Sequence, residues 1–173
     1  MPILPIRIFP DRILKNQNHD VSEITPQVRR LIGDLIDTMR HHPRCVGLAA
    51  PQVGHNVRLA VVDTSAHPKS VSSSGLLVLI NPEITERQDM RVAREGCLSV
   101  PDFTGNVARA DRIKLAALDA SGAAWSAEFC GFEAIAIQHE VDHLDGKLFL
   151  DRVQNIRTDV FKRKQYWFPE SKS

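Results

Sequence analysis

Apolar residues recur along residues 25–42 at the three- and four-residue spacing of an amphipathic α-helix. This pattern predicts a helix with one buried face, formed by Val28, Leu31, Ile32, Leu35, Ile36 and Met39. Shorter apolar runs of strand-like composition predict β-strands at 57–62, 76–80, 113–118 and 125–129. Ser121-Gly122 predicts a hairpin turn between the last two strands.

A second helix is predicted to begin after Gly131, and it is apolar on both sides. One side carries Phe132, Ile135, Ala136, His139 and His143, and the other carries Ala134, Ile137, Val141 and Leu144. A helix that is apolar all round is normally buried. We expect this helix to end near Asp145-Gly146, because glycine is a common residue just after a helix C-terminus.

Together these elements predict an α+β fold, in which antiparallel β-sheets pack around the central buried helix. The long helix lies on the N-terminal side, and residues 155–167 predict a C-terminal helix with a small basic patch at 162–164. The length of 173 residues is suited to one domain with a sizeable core. We therefore expect a single domain over residues 1–173, with 155–173 as its C-terminal helix and tail.

The buried helix contains the sequence Gln-His-Glu-Val-Asp-His at residues 138–143. At about 100° per residue, His139 and His143 lie one turn apart on the same face and can bind one metal ion. Glu140 projects to one side of that face, within reach of a metal-bound water. The pattern is typical of metal-dependent hydrolysis of amides or esters. The alternative is two ordinary helix histidines with a solvated glutamate between them.

A catalytic site of this type usually has a third protein ligand. In one group of peptidases a histidine supplies it, but Phe149 occupies that position here, and Glu170 is the only later glutamate. The third ligand is therefore expected upstream. Three cysteines are available, Cys45, Cys97 and Cys130, and a thiolate binds zinc or iron(II) strongly. A buried thiol in the core is the alternative for each of them.

Composition excludes several other classes of function. The formal net charge of +1 gives no nucleic-acid footprint. No apolar run approaches the roughly 20 residues of a membrane span. An odd, sparse cysteine count argues against a disulfide framework and for a reducing compartment. The first residues lack the features of a secretory signal or a transit peptide, so a cytoplasmic location is expected.

Three segments of the chain together resemble peptide deformylase. They are Gly47-Leu48-Ala49-Ala50-Pro51-Gln52, Glu95-Gly96-Cys97-Leu98-Ser99 and Gln138-His139-Glu140-Val141-Asp142-His143, in the order of that family. The opening Ile-Arg-Ile-Phe-Pro-Asp-Arg-Ile-Leu is similar to the N-terminal start of the family, and the resemblance extends over roughly residues 3–155. The resemblance implies removal of formate from the N-formyl-methionine of nascent peptides.

The resemblance also implies a cofactor and its ligands. One divalent metal ion would be bound by Cys97, His139 and His143. The ion is commonly Fe(II) in this family, and Zn(II) or Ni(II) can also occupy the site. Glu140 would take a proton from a metal-bound water or hydroxide and later pass one to the leaving amine.

Supporting residues follow from the same resemblance. Gln52 and the backbone N–H of Leu98 would stabilise the tetrahedral oxyanion. Arg109 would pair with Glu95 and brace the cysteine loop. The substrate, with its methionine side chain in an apolar pocket, would be bound by Val46, Gly47, Glu95, Phe132, Ile135 and Ala136. For each of these residues, an ordinary role in the core or on the surface is the alternative.

Two further expectations concern the surroundings of the site. The family usually has a glycine where this chain has Cys45, which changes the rim on the substrate side. The family acts on chains that emerge from the ribosome, so the basic residues at 162–164 are candidates for ribosome docking. A solvated helix face is the alternative for those charges.

Two other classes of protein share the helix motif. A zinc endopeptidase would cut internal bonds of unformylated peptides, and a non-catalytic metal-binding protein would keep the ligands without turnover. Phe149 argues against one large branch of the first class, and Glu140 argues against the second. Formate release from formyl-Met-Ala-Ser, compared with cleavage of the unformylated peptide, separates the three.

Overall fold

A computed structural model describes residues 2–164 of the chain. Its helices are α1 (Pro26–His41), α2 (Gly131–Leu144) and the single turn α3 (Ile156–Asp159). Its strands are β1 (Gly47–Ala49), β2 (Leu59–Val62), β3 (Leu77–Cys97), β4 (Val100–Leu118), β5 (Ala124–Cys130) and β6 (Val160–Lys162). Short 3-10 turns lie at Arg12–Lys15, Ala50–Val53 and Phe149–Asp151.

The long N-terminal helix α1 forms where the apolar spacing predicted it. The Thr25 hydroxyl caps the helix by accepting a hydrogen bond from the Val28 N–H at 3.3 Å, and Pro26 occupies the first turn. The predicted stripe faces the core, with Leu31, Ile32, Leu35 and Met39 buried, and Val28 and Ile36 packed at its margin.

The strands form one antiparallel sheet in the described part of the chain, in the order β1-β2-β3-β4-β5, with β6 added beside β4. The sequence predicted more than one sheet, and in this respect the prediction was wrong. The long strands β3 and β4 explain the difference. Strand β3 pairs with β2 at its first residues and with β4 along its length, and β4 also pairs with β5 and β6, so all the strands join into one sheet.

Strands β3 and β4 extend well beyond the apolar runs that predicted them. The apolar runs at 76–80 and 113–118 mark only one end of each strand, and residues 85–92 of β3 are exposed. Exposed strands lack a buried face, so their sequence does not show the apolar alternation on which a prediction depends. Three register shifts in the β3–β4 pairing interrupt the pattern further. The β4–β5 hairpin forms as predicted, with its turn at 119–122.

Helix α2 lies in the main core cluster. Its residues Ala134, Ile137, Val141 and Leu144 pack there with residues of β1, β2, β3, β4 and β5. Asp145 follows the last helical residue and Gly146 has φ +68°, as the predicted glycine stop requires. The helix therefore holds the segment 138–143 rigidly inside the protein.

The predicted C-terminal helix over 155–167 was wrong for the residues that the structure describes. Only Ile156–Asp159 is helical, and the chain then continues as β6, which pairs with Phe103–Gly105 of β4. Sheet pairing prevails here because Val160 and Phe161 favour strands, and Phe161 packs under the Arg94 guanidinium at 3.6 Å. Residues 165–167 of that prediction lie outside the described range. Within residues 2–164, no helix has the length and apolar character to span a membrane.

Candidate metal centre

Cys97, His139 and His143 come together in the interior. Their candidate ligand atoms all lie within 4.8 Å of one another, and the Cys97 Sγ lies 3.2 Å from the His143 Nε2. Cys97 ends β3, and the two imidazoles come from successive turns of α2. The structure therefore brings the sulfur of Cys97 to two ring nitrogens that lie 42 and 46 residues later in the chain.

The His139 ring is oriented by Glu95. Its Nδ1 lies 2.8 Å from the Glu95 Oε2, so Nδ1 donates to that carboxylate and Nε2 is left as the ligand atom. The His143 Nδ1 is buried and has no hydrogen-bond partner among the described residues. A soft sulfur and two imidazoles, held this closely, are a donor set that fits Fe(II), Zn(II) or Ni(II).

The surroundings of Cys97 favour the thiolate, which is the form that binds metals. Burial would raise the pKa of this thiol, but the neighbouring His143 and His139 imidazoles outweigh burial and lower its pKa well below the usual range. The Gln52 side chain also touches the sulfur. Its Nε2 donates to the Cys97 Sγ at 3.4 Å and to the Ser99 Oγ at 3.2 Å, and its Oε1 accepts from the Ala49 N–H at 2.9 Å.

A buried chain of charges supports the ligands from behind. Arg109 donates to both oxygens of Glu95, at 2.7 and 3.0 Å, and to Asp142 at 2.6 Å. Arg152 continues the chain by donating to Asp142 at 2.7 and 3.1 Å. Although burial alone would raise the pKa of Glu95, hydrogen bonds from His139 and Arg109 lower it to about 2. Glu95 thus stays ionised and fixes the position of the His139 ring.

Glu140 lies beside the ligand set without belonging to it. Its side chain is buried, and Oε2 has no hydrogen-bond partner among the described residues. Burial raises the pKa of Glu140 to about 7, against the opposing effect of the two imidazoles. A carboxyl group with a pKa near neutrality can both accept and donate a proton. A Cβ on Gly47 would lie 2.5 Å from the Glu140 Oε1, so glycine is the residue that leaves room for this carboxylate.

A cavity of about 490 Å³ opens onto these groups. Its apolar wall consists of Val46, Leu98, Phe132, Ile135 and Ala136. Cys45 also lines the cavity; its Sγ donates to the Gly47 carbonyl at 3.1 Å, and burial raises the pKa of its thiol, so it remains protonated. Every residue that the sequence placed in the site lines this cavity, except Arg109 and His143, which lie behind it.

Three contributors to the site were missed in the sequence. Ser99 accepts a hydrogen bond from Gln52, and Asp142 and Arg152 extend the buried chain of charges. Asp142 carried a usable signal, because a carboxylate on a helix that is apolar all round needs a cation nearby. Neither Ser99 nor Arg152 stands out in the sequence. Glu95, which we had grouped with the substrate-binding residues, has both oxygens bonded to Arg109 and His139.

Comparison with known proteins agrees with this site. The family model for polypeptide deformylase matches residues 3–159. The peptide deformylase of Thermodesulfovibrio yellowstonii is 43% identical over 164 residues, which are 95% of this chain and 97% of that protein. The crystal structure of peptide deformylase from Thermotoga maritima has a TM-score of 0.81 and 36% identity, over 90% of this chain and 100% of that chain.

A third relative was solved with a ligand. The class I type b peptide deformylase from Acinetobacter baumannii, bound to Met-Ala-Ser, has a TM-score of 0.82 and 36% identity, over 88% of this chain and 99% of that chain. The sequence and structural matches extend over almost the whole chain and include all three motifs. The chain therefore belongs to the peptide deformylase family of metal-dependent amidohydrolases.

Proposed function

We propose that the chain removes the N-formyl group, as formate, from the formyl-methionine of nascent polypeptides. The observation that carries this proposal is Glu140, a buried carboxyl group with a pKa of about 7 beside a sulfur and two imidazole nitrogens. Family membership supports the reaction, and the match over residues 3–159 supports a single catalytic domain.

Cys97, His139 and His143 would hold one divalent metal ion per chain, and Fe(II) is proposed as the ion in the cell. When bound, the ion supplies Lewis acidity, which lowers the pKa of a water molecule toward neutrality. The role of Glu95 and Arg109 is to fix the His139 ring, because the Glu95 carboxylate accepts from its Nδ1. We therefore assign Glu95 to the support of the ligands and not to substrate binding.

Glu140 acts as the general base and then as the general acid. It accepts a proton from the attacking water and later donates a proton to the amine nitrogen of the departing methionine. The Gln52 Nε2 already donates toward the cysteine sulfur at 3.4 Å, so it is placed to donate to an oxyanion that forms at the same centre. The backbone N–H of Leu98, in the turn after β3, is proposed as the second donor.

The cavity supports a peptide substrate. Val46, Phe132, Ile135 and Ala136 form an apolar wall that suits an unbranched methionine side chain. The stretch 91–96 of β3 lines the same cavity, and in the described structure it pairs with β4 on one side only. An extended peptide can hydrogen-bond to such an edge. The Acinetobacter baumannii relative, solved with Met-Ala-Ser, supports this class of ligand.

The function is tested by formate release from formyl-Met-Ala-Ser, with the metal-loaded protein. We expect formate and free Met-Ala-Ser in equal amounts, and no cleavage of Met-Ala-Ser itself. Cleavage of an internal peptide bond would indicate the endopeptidase alternative. Bound metal without any product would indicate the non-catalytic alternative, and either result overturns the proposal.

We also propose that the enzyme works in the cytoplasm and docks on the ribosome through its basic C-terminal segment. Lys162 and Lys164 are exposed, which supports a contact with ribosomal RNA phosphates. Replacing both lysines with Gln is expected to reduce cosedimentation with ribosomes at low salt, while formyl-Met-Ala-Ser is still hydrolysed. Equal cosedimentation of the variant and the unaltered protein would refute the docking proposal.

A further inference from the structure

We propose that a basic rim around the cavity, completed by Arg163 directly after strand β6, favours nascent chains with acidic residues directly after the formyl-methionine. The basic rim consists of Arg44, Lys69, Arg91, Arg94 and Arg163, all of which line the cavity. This inference rests on the proposed function, because it assigns a substrate class to the same site.

Arg163 directly follows strand β6 and lines the cavity. Its N–H donates to the Asp102 carbonyl at 2.7 Å, which continues the pairing of β6 with β4. Its side chain turns inward while Lys162 and Lys164 remain exposed. A Cβ on Gly96 would lie 2.5 Å from the Arg163 Nη2, so the guanidinium rests on the backbone beside the ligand Cys97.

Arg94 helps to hold this arrangement. Its guanidinium stacks on the Phe161 ring of β6 at 3.6 Å and donates to the Asn106 Oδ1 at 2.8 Å. Arg94 therefore helps to fix β6, the strand that directly precedes Arg163. Lys69 has its Nζ 5.9 Å from the centre of the Phe132 ring, at the wall assigned to the methionine side chain.

The acidic groups near the cavity do not neutralise this rim. The carboxylates that line the cavity are Glu95 and Glu140, and both are buried. Glu95 is already paired with Arg109. Asp111 lies 2.7 Å from Arg91, and Asp102 acts on Arg163, so these two acids offset part of the charge from outside the cavity. Lys69 and Arg94 form no salt bridge with an acid in the described part of the chain, so the rim keeps positive charge at these two positions.

A peptide whose methionine occupies the apolar wall would place its next residues along the rim that includes Lys69 and Arg163. The cations of the rim attract acidic side chains at those positions within a partly enclosed space, whereas they repel lysine side chains. Partly exposed ion pairs of this kind contribute modestly to binding. We therefore expect a preference of about fivefold, not an absolute requirement.

The test compares three substrates with amidated C-termini: formyl-Met-Glu-Glu, formyl-Met-Gln-Gln and formyl-Met-Lys-Lys. At low salt we expect kcat/KM for formate release to be about fivefold higher for the Glu peptide than for its Gln isostere, and lowest for the Lys peptide. Salt at 0.5 M should remove most of the difference, since the Debye length then falls below about 5 Å.

Variants of single rim residues test which cations cause the preference for acidic substrates. Arg163→Gln should bring the Glu/Gln ratio of kcat/KM close to one, and Arg163→Lys should retain most of the ratio because it retains the charge. Arg157→Gln is the matched control, since Arg157 is an exposed arginine of the same segment that does not line the cavity, and it should leave the ratio unchanged. Lys69→Gln should also lower the ratio, and Lys69 lies by Phe132 and outside β6, so this variant decides the question if Arg163→Gln fails to fold.

Two results would overturn the inference. The first is a Glu/Gln ratio of kcat/KM near one in the unaltered protein. The second is an unchanged ratio in folded Arg163→Gln, or in Lys69→Gln if Arg163→Gln does not fold. Both are distinct from failure of the proposed function. If the function is wrong, none of the three peptides yields formate. If only the basic rim is wrong, all three yield formate with similar kcat/KM.

Discussion

Replacing Glu140 with Gln is expected to lower kcat for formate release by about a hundred- to ten-thousandfold while the metal stays bound. Gln has nearly the same shape, so it fills the narrow space that Gly47 leaves beside position 140. It cannot take up and release a proton as the carboxyl group does. The ligand atoms of Cys97, His139 and His143 are untouched by the change.

The measurement pairs steady-state kinetics on formyl-Met-Ala-Ser with the metal content of protein purified without oxygen. Glu133→Gln is a matched control, because Glu133 is a second buried glutamate of α2 whose oxygens bond to Ser74 and not to the metal centre. The control should retain nearly full kcat and metal. Loss of metal together with activity in Glu140→Gln would contradict the assignment of Glu140 as a proton carrier that is not a ligand.

Replacing Arg109 with Met should lower the free energy of unfolding by about 3–5 kcal/mol. The Arg109 side chain is only 4% exposed and lies between Glu95 and Asp142, which are 5% and 6% exposed. Removing the guanidinium leaves two buried carboxylates without their shared cation, and Met cannot compensate either of them. The loss is expected to be large even though the pair itself stabilises the native state much less than this.

Urea denaturation, followed at equal metal content, measures the effect. Arg112→Met is the control on the same strand: Arg112 is 58% exposed and lies 3.9 Å from Asp89, so its removal should cost less than about 1 kcal/mol. Metal affinity should also fall in Arg109→Met, because Glu95 then holds the His139 ring less firmly. Equal and small losses in the free energy of unfolding for the two variants would show that the buried chain of charges stabilises the fold no more than an exposed ion pair does.

The sequence predicted those parts of the fold that bury a regular face. Helix α1 shows a stripe with the helical period, and α2 combines two apolar sides with a glycine stop, so both elements could be placed closely. The pair His139 and His143 follows from helical spacing alone. These features are local, and local patterns are what a single sequence displays.

The third ligand could not be found by local reasoning. Cys97 meets the histidines through the pairing of β3 with β4 and the packing of α2 against the sheet, and neither is visible in the spacing of the residues. It was identified through the family resemblance. The full length of β3 and β4 and the strand β6 were missed for a related reason, because their hydrogen bonds join residues that are distant in sequence.

Local patterns in the sequence also could not predict the residues that lie behind the site. Arg152 reaches Asp142 from the turn that follows Phe149–Asp151, a position with no regular pattern. The sequence predicts Arg163 as part of a charged patch on a helix, whereas in the structure it directly follows strand β6 and its N–H bonds to the Asp102 carbonyl of β4. An error in the predicted element thus became an error about which charges face the cavity.

The position of β6 has a consequence for how the protein is made. Chains are synthesised from the N-terminus, and the parts made first can begin to fold first. Cys97, His139 and His143 all precede β6 and Arg163, the residue after it that lines the cavity. A growing chain therefore contains its full set of ligand atoms before Arg163 can take its place at the opening, so capture of the ion can come ahead of the final shape of the opening.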